Sequence, residues 1–538
     1  MDILFSQGSS KKTIALPKET IKDLALEDIV ASACSVKEDR ESVMKIFSQI
    51  PSDPNDIKFR SSIVQDLFGN KELCDKISNC SHDIMALKYY GGSYKQMRRN
   101  EVNLYNLLED IRELIVFTNV TEKLASCLHE YEIRSEGLIK LREDLDKTVN
   151  SEDFSALKKD LEDMKNDLGG VQAAYIAVNF TTDFNIENVA AIEFVPHKLV
   201  SKYGVVERLT AMNLISPFET GTKLGRVPDP LLQAIAPKLQ RHLKKHFSDI
   251  QKTFTKYADC DTKELTGMYE GLIFYLAMAR FGRSLKDKGY NLCFPVIDEN
   301  VRFDIKGLYN VRLAVEGVKD IVKNDFTFKE DERIFILTGP NRGGKTIIEQ
   351  AIGIASVMAS HGLFVTADSF TGMPFGNILT HFPIDENLTI NYGRLGEEAI
   401  RIKDIVSASD NNTLILFNET YSTTSASDGV YLAKDLIRVL KEKGTYIIFN
   451  THLHDLAKDI PEMNKWDGQG NIISIIMERK DDKNTFMLKR AEPDCCSYAR
   501  DIALKYGITY EQMTDKEAKI LRSSSRTNSF IASWFLMM

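Results

Sequence analysis

The segment GPNRGGKT, residues 339–346, fits the pattern G-x-x-x-x-G-K-[ST]. It lies between an apolar run, RIFILTG, and a helix-like run, TIIEQAIGIASVMASHG. A loop of this composition, opening a helix after a strand, suits the phosphates of a nucleotide. Gly339, Gly343 and Gly344 let backbone N–H groups turn inward around an anion, with Pro340, Asn341 and Arg342 completing the loop. Lys345 is placed to reach the β- and γ-phosphates and Thr346 to hold Mg²⁺. The helix that starts at Thr346 aims its positive end at the same anion.

Two further segments supply partners for such a loop. TLILFNE, residues 413–419, is an apolar strand that ends on Asn418 and Glu419. Acidic residues at a strand end beside a phosphate loop hold the metal and the attacking water. Glu419 is the expected base, or the group that orients the water. Asn418 stands where a metal-shell aspartate is usual; it keeps an acceptor oxygen and loses the charge, which predicts weaker Mg²⁺ binding and slow hydrolysis. On these grounds alone, Asn418→Asp should tighten Mg²⁺ or raise turnover. FNTHLHDL, residues 449–456, places His452 just past a third strand, where a γ-phosphate sensor would sit. ATP and Mg²⁺ are the expected ligands.

The elements that must position these groups are legible in coarse outline. Residues 1–305 are mostly helical. Leucines recur at helical spacing along residues 104–114, and again in the charge-rich stretch SEGLIKLREDLDKTVNSEDFSALKKDLEDMK. Strand-like segments predict a small β insertion near 170–196, and MYEGLIFYLAMARFGRSL, residues 268–285, predicts a buried helix. From 306 to 515 strands and helices alternate, which argues for a parallel α/β domain. Residues 516–538 form a C-terminal tail whose apolar end, FIASWFLMM, is too short to cross a membrane. The fold class expected is a multidomain chain: a helical N-terminal region with a β insertion, then an α/β P-loop ATPase domain.

Composition bounds the rest. The 538 residues carry a net charge of −8, which argues against indiscriminate binding to nucleic acid but leaves room for a local basic face. The eight cysteines form no Cys-x-x-Cys pair and suit a reducing compartment. No signal segment and no membrane-spanning run is evident, so a cytoplasmic location without membrane partners is expected.

Taken in order, TGPNRGGKT, NETYSTTSASDG and NTHLHDL resemble the ATPase domain of the MutS family of DNA mismatch-repair proteins, which belongs to the ABC class of P-loop ATPases. VKNDFTF and CSYARDIALKYGI are similar to further family segments. The resemblance implies a core and lever in the helical region, and composite nucleotide sites shared between two subunits. It therefore implies a homodimer, in which Thr389 of LTINYGRLGEEAIRI stands in the segment that meets the neighbouring subunit's nucleotide. It also implies that Ile321 and Leu488 replace the groups that sandwich adenine. No N-terminal mismatch-reading domain is recognisable.

Two functions from different classes follow. One is an ATP-gated dimeric clamp on mismatched or branched DNA, with slow hydrolysis. The other is a nucleotide-gated scaffold for protein or ribonucleoprotein partners. For the first, the best basic stripe is PKLQRHLKKHF, where Lys238, Arg241, Lys244 and Lys245 share roughly one helix face. YKQMRRN, residues 94–100, is a second basic cluster. A nuclease finds no support in a metal-binding cluster or in a nuclease segment after 515.

Overall fold

Alternation of apolar strands with helices produces a layered sheet in the C-terminal half. The computed structural model describes residues 2–91, 104–168, 173–183, 186–195, 256–257, 262–340, 342–383, 394–422, 424–480, 483–493 and 506–514. In chain order the strands are β1 (Thr13–Ala15), β2 (Gln49–Pro51), β3 (Ala173–Phe180), β4 (Ile186–Val195), β5 (Phe303–Leu308), β6 (Asn324–Phe328) and β7 (Glu332–Thr338). They continue with β8 (Ser369–Thr371), β9 (Asn377–His381), β10 (Thr413–Asn418), β11 (Tyr446–Asn450), β12 (Asn471–Lys480) and β13 (Lys483–Arg490).

The chain forms two compact units. The first comprises the described residues within Met1–Lys12, Val30–Phe47 and Asn55–Ser284; the second those within Thr13–Ile29, Ser48–Pro54 and Leu285–Met538. Long helices dominate the first unit, among them Leu104–Glu130, Glu136–Val149 and Glu152–Leu168. Their leucine spacing is used as expected, since Leu138, Leu141 and Leu145 are buried. Gly137 permits close helix packing there; a Cβ at that point would lie 2.4 Å from Ile63 Cδ1. The β insertion is an antiparallel hairpin of β3 and β4. The apolar run near 268–285 forms the helix Tyr269–Asp287, with Leu272, Phe274, Tyr275 and Met278 buried. Among the described residues, no helix is long and apolar enough to cross a membrane.

The second unit is built on a six-stranded mixed sheet in the order β13-β12-β7-β11-β10-β9. The strands from β12 to β9 are parallel to one another, and β13 pairs antiparallel with β12. β10 and β11 are buried at every position, which is why TLILF and YIIF read as unbroken apolar runs. The helix Lys345–Ser360 is buried over most of its length. The helix Ala426–Lys443 is amphipathic and buries Ala433, Leu436, Ile437 and Leu440. Its start is fixed by Ser425, whose Oγ accepts the Asp428 N–H, and its end by Gly444 at φ 74°. A smaller sheet, β6-β5-β8, packs an aromatic cluster in which Phe303, Phe326, Phe328 and Phe375 meet mostly edge to face.

Two segments from the start of the chain belong to this second unit. Thr20 Oγ1 donates to Ile378 O at 3.2 Å, and Thr380 Oγ1 donates to Asp23 Oδ2 at 2.7 Å. Arg401 pairs with Asp23 at 2.7 Å, with both side chains largely buried. Beside this pair, His381 closes β9, and its Nδ1 lies 2.8 Å from Thr420 Oγ1. Burial, followed by the Arg401 charge, lowers the His381 imidazole from 6.5 to about 3. The folded chain therefore keeps this ring neutral, while the unfolded chain takes up its proton near pH 6.5. Stability is full above that pH and falls as pH drops through the interval down to about 3. Denaturant unfolding at about pH 5 should show about 2 kcal/mol lost from this ring relative to about pH 7. His381→Gln should make the pH slope shallower by that amount; an unchanged slope would contradict the buried neutral ring.

Candidate nucleotide-binding site

Parallel pairing brings the C-terminal ends of β7, β10 and β11 to one edge of the sheet. β7 runs into the glycine loop, β10 into Glu419, and β11 into Thr451 and His452. The register sets Asn418 opposite Asn450, and Asn450 opposite Leu337.

The loop curls as its glycines require. Gly339 has φ 139° and Gly344 has φ 92°, both in the left-handed range. A Cβ on Gly344 would come within 3.2 Å of Phe486 Cδ1, and one on Gly339 within 3.1 Å of Met477 N. Gly343 N–H donates to Pro340 O at 3.0 Å, and the following helix begins with Ile348 N–H donating to Gly344 O. Lys345 is buried, and its ammonium donates to Gly339 O at 3.1 Å and Pro340 O at 3.3 Å. Burial lowers its pKa, and the Glu419 and Glu349 carboxylates partly restore it. Thr346 Oγ1 donates to Asn418 Oδ1 at 3.3 Å. Thus Lys345, Thr346, Asn418 and Glu419, chosen from separate motifs, stand at one edge. Asn341 and Thr389 lie outside the described residues, as do Lys238, Arg241, Lys244 and Lys245 and the cluster at 94–100.

A cavity of about 470 Å³ opens over this loop. Its polar floor is formed by Pro340, Arg342, Gly343, Gly344, Lys345, Thr346 and Glu419. Its apolar wall includes Leu308, Ile321, Val322, Met477 and Phe486. The size and the mix of apolar wall with a few convergent polar groups suit a small organic ligand carrying a charged end. β5 and β6 position the wall. Asn324 on β6 donates from Nδ2 to Phe486 O and accepts from Leu488 N–H, which pins β13 across it. Ile321 therefore lines the cavity as the family resemblance implies, whereas Leu488 lies outside it and Phe486 supplies the aromatic ring. The spacing of the motif did not reveal this, because β13 breaks register against β12 between Met477 and Arg479.

Backbone strain concentrates here. Among the described residues, six non-glycine residues have positive φ, and four of them are Arg342, Glu419, Tyr421 and Phe486. Each such residue costs about 1–3 kcal/mol and persists only where its surroundings hold it. Glu419 is held by its N–H, which donates to Asn450 O at 2.8 Å; Tyr421 N–H donates to Glu398 Oε1 at 2.8 Å.

His452 is exposed and is not among the residues lining the cavity. The other histidine of the motif, His454, is half-buried with an unpartnered Nδ1. Burial lowers its pKa, and the Lys345 charge lowers it further. Only its position two residues after His452 marked it in the sequence. Among the described residues, no group of three or more His, Cys, Asp or Glu could hold a metal ion.

With this geometry in view, comparison with known proteins becomes informative. The family model for MutS domain V matches residues 335–529, which take in the glycine loop, the β10 end and the β11 end. Over that segment the chain is similar to the MutS family. A relative from Clostridium novyi (strain NT), named Endonuclease MutS2, is 26% identical over 186 residues, 34% of this chain and 23% of that protein. An Endonuclease MutS2 from Ligilactobacillus salivarius (strain UCC118) is 20% identical over 439 residues, 80% of this chain and 52% of the relative. A DNA mismatch repair protein MutS from Lactobacillus delbrueckii subsp. bulgaricus is 26% identical over 223 residues, 41% of this chain and 24% of that protein. The chain thus spans from about a quarter to about half the length of these relatives.

The glycine at the head of the helix gives a direct test of the loop. Gly344→Ala forces a side chain into the left-handed range and toward Phe486, and should cost at least about 1 kcal/mol of stability. Thermal unfolding would show this as a fall in Tm, and an unchanged Tm would place the loop in another conformation.

Proposed function

We propose that the chain is an ATP-binding and slowly ATP-hydrolysing protein that acts on DNA. The observation that carries this proposal is the convergence, at one edge of the sheet, of a buried lysine and a threonine after β7 with an asparagine and a glutamate at the end of β10. Among the described residues the buried Lys345 ammonium bonds two loop carbonyls, so an incoming anion would meet an ammonium already stripped of water. The left-handed Gly344 and the helix behind it complete a cradle for phosphate. The arrangement also fits Mg²⁺: Thr346 Oγ1 and Asn418 Oδ1 are neutral oxygens side by side at the mouth of the loop. Bound there, Mg²⁺ would offset the charge of the phosphates.

In hydrolysis Glu419 holds the attacking water. The water oxygen bonds to the γ-phosphorus as the bond to the β–γ bridging oxygen breaks, and the water proton passes to the Glu419 carboxylate. Lys345 stays on the β- and γ-oxygens throughout. Phe486 and Ile321 offer the base apolar contact, which does not discriminate strongly between bases. Asn418 supplies no charge, which accords with slow turnover.

Pairing of two copies, with Thr389 of each completing the other's site, and closure on mismatched or branched DNA extend this proposal. The basic residues Lys238, Arg241, Lys244 and Lys245 are the candidate backbone contacts, and such contacts are sequence-blind and salt-dependent. Similarity to the MutS family, a DNA mismatch repair protein MutS among the relatives, supports a DNA partner.

Steady-state ATP hydrolysis with homoduplex, mismatched or branched DNA tests the proposal. Lys345→Ala should abolish binding and turnover. Glu419→Gln should retain binding and lower the rate by at least about 100-fold. Stimulation by one DNA structure would support the clamp. Binding without turnover, indifferent to every DNA, would favour the nucleotide-gated scaffold.

A further inference from the structure

Glu349 lies on the helix Lys345–Ser360, one turn past Lys345, and is fully buried. A carboxyl in such a place is costly unless it is bonded. Its Oε2 accepts from Asn450 Nδ2 at 3.0 Å, and its Oε1 has no partner. The same Nδ2 donates to Asn418 Oδ1 at 2.7 Å. A primary amide nitrogen has two hydrogens, so these two acceptors use both. Asn418 Oδ1 also accepts from Thr346 Oγ1. Thr346, Asn418, Asn450 and Glu349 therefore form one hydrogen-bonded row behind the loop.

We propose that Glu349 is a positioning residue that supplies, from the helix, the carboxylate lacking at the end of β10. Through the Asn450 amide it holds Asn418 with Oδ1 toward Thr346, and it makes asparagine the residue compatible with position 418. This rests on the nucleotide-site proposal above and goes beyond it by giving Asn418 a cause.

The argument turns on donors and charge. Asn450 can offer Asn418 a donor only while its amide faces Glu349, because a carboxylate oxygen accepts and does not donate. An aspartate at 418 would put two carboxylates on a single NH₂ in a dry environment. The two would repel each other, with one shared donor and no second one between them. A further anion at 418 would find little compensation there. This proposal runs against the expectation from sequence, in which Asn418→Asp alone should tighten Mg²⁺ or raise turnover.

A double-mutant cycle reads the coupling. Binding of a fluorescent ATP analogue is titrated with Mg²⁺ and with EDTA, for the wild type, Asn418→Asp, Glu349→Gln and the pair. Asn418→Asp alone should give no gain in Mg²⁺-dependent affinity. Combined with Glu349→Gln it should gain about tenfold, the equivalent of one pKa unit. Gln at 349 keeps an amide oxygen to accept from Asn450, so the cycle reads the charge rather than the loss of that bond. An equal gain from Asn418→Asp with and without Glu349→Gln would overturn the proposal while leaving the nucleotide site intact. No binding by the wild type in either condition would overturn the nucleotide site, and this inference with it. Should Glu349→Gln fail to fold by thermal melting, Asn418→Asp alone decides: a gain in Mg²⁺-dependent affinity refutes the coupling, and its absence supports it.

Discussion

Parallel pairing of β7, β11 and β10 is the constraint on which the rest of the second unit depends. Successive parallel strands must end at the same sheet edge, and their side chains there are set by register. With Asn418 opposite Asn450, and Asn450 opposite Leu337, the glycine loop, Glu419 and Thr451 emerge together. A one-residue slip of β10 would turn Asn418 away from Thr346 and bury Glu419 in its place. The polar end of β10 opposes such a slip, because it would carry the Glu419 carboxylate into the buried strand.

The site draws on this rigidity to hold unfavourable local states. Glu419, Tyr421, Arg342 and Phe486 all adopt backbone angles that side chains seldom take. Each is tied to a strand or helix: Glu419 to β11 through Asn450 O, Tyr421 to the helix Arg394–Ala408 through Glu398, Arg342 to β13 through Asn484, and Phe486 to β6 through Asn324. That helix directly follows the segment holding Thr389, so the Tyr421 bond joins the loop of Glu419 to the element expected to face a neighbouring subunit.

Much of this was legible in the sequence, for a physical reason. Strands buried on both faces must be apolar throughout, and the helices beside them must be amphipathic, so β7, β10, β11 and the helix Ala426–Lys443 could be read directly. The glycine loop was legible because left-handed backbone requires glycine. What could not be read depends on contacts distant in the chain. Residues 13–29 join the second unit through bonds such as Thr20 to Ile378, and nothing local marks them. Phe486 reaches the cavity because β13 slips register against β12. Glu349 looked like any polar residue of a helix until the fold buried it beside Asn450. Asn418 was noticed as a departure, but its meaning lay in that partner, 69 residues earlier in the chain.

Hydrogen–deuterium exchange with and without Mg·ATP tests the central claim most directly, since it locates the ligand on the chain. Occupation of the cavity should slow exchange at residues 343–348 and at Glu419, and Lys345→Ala should abolish that protection. ATP binding that leaves those amides unchanged, or that protects another part of the chain in their place, would contradict the site described here.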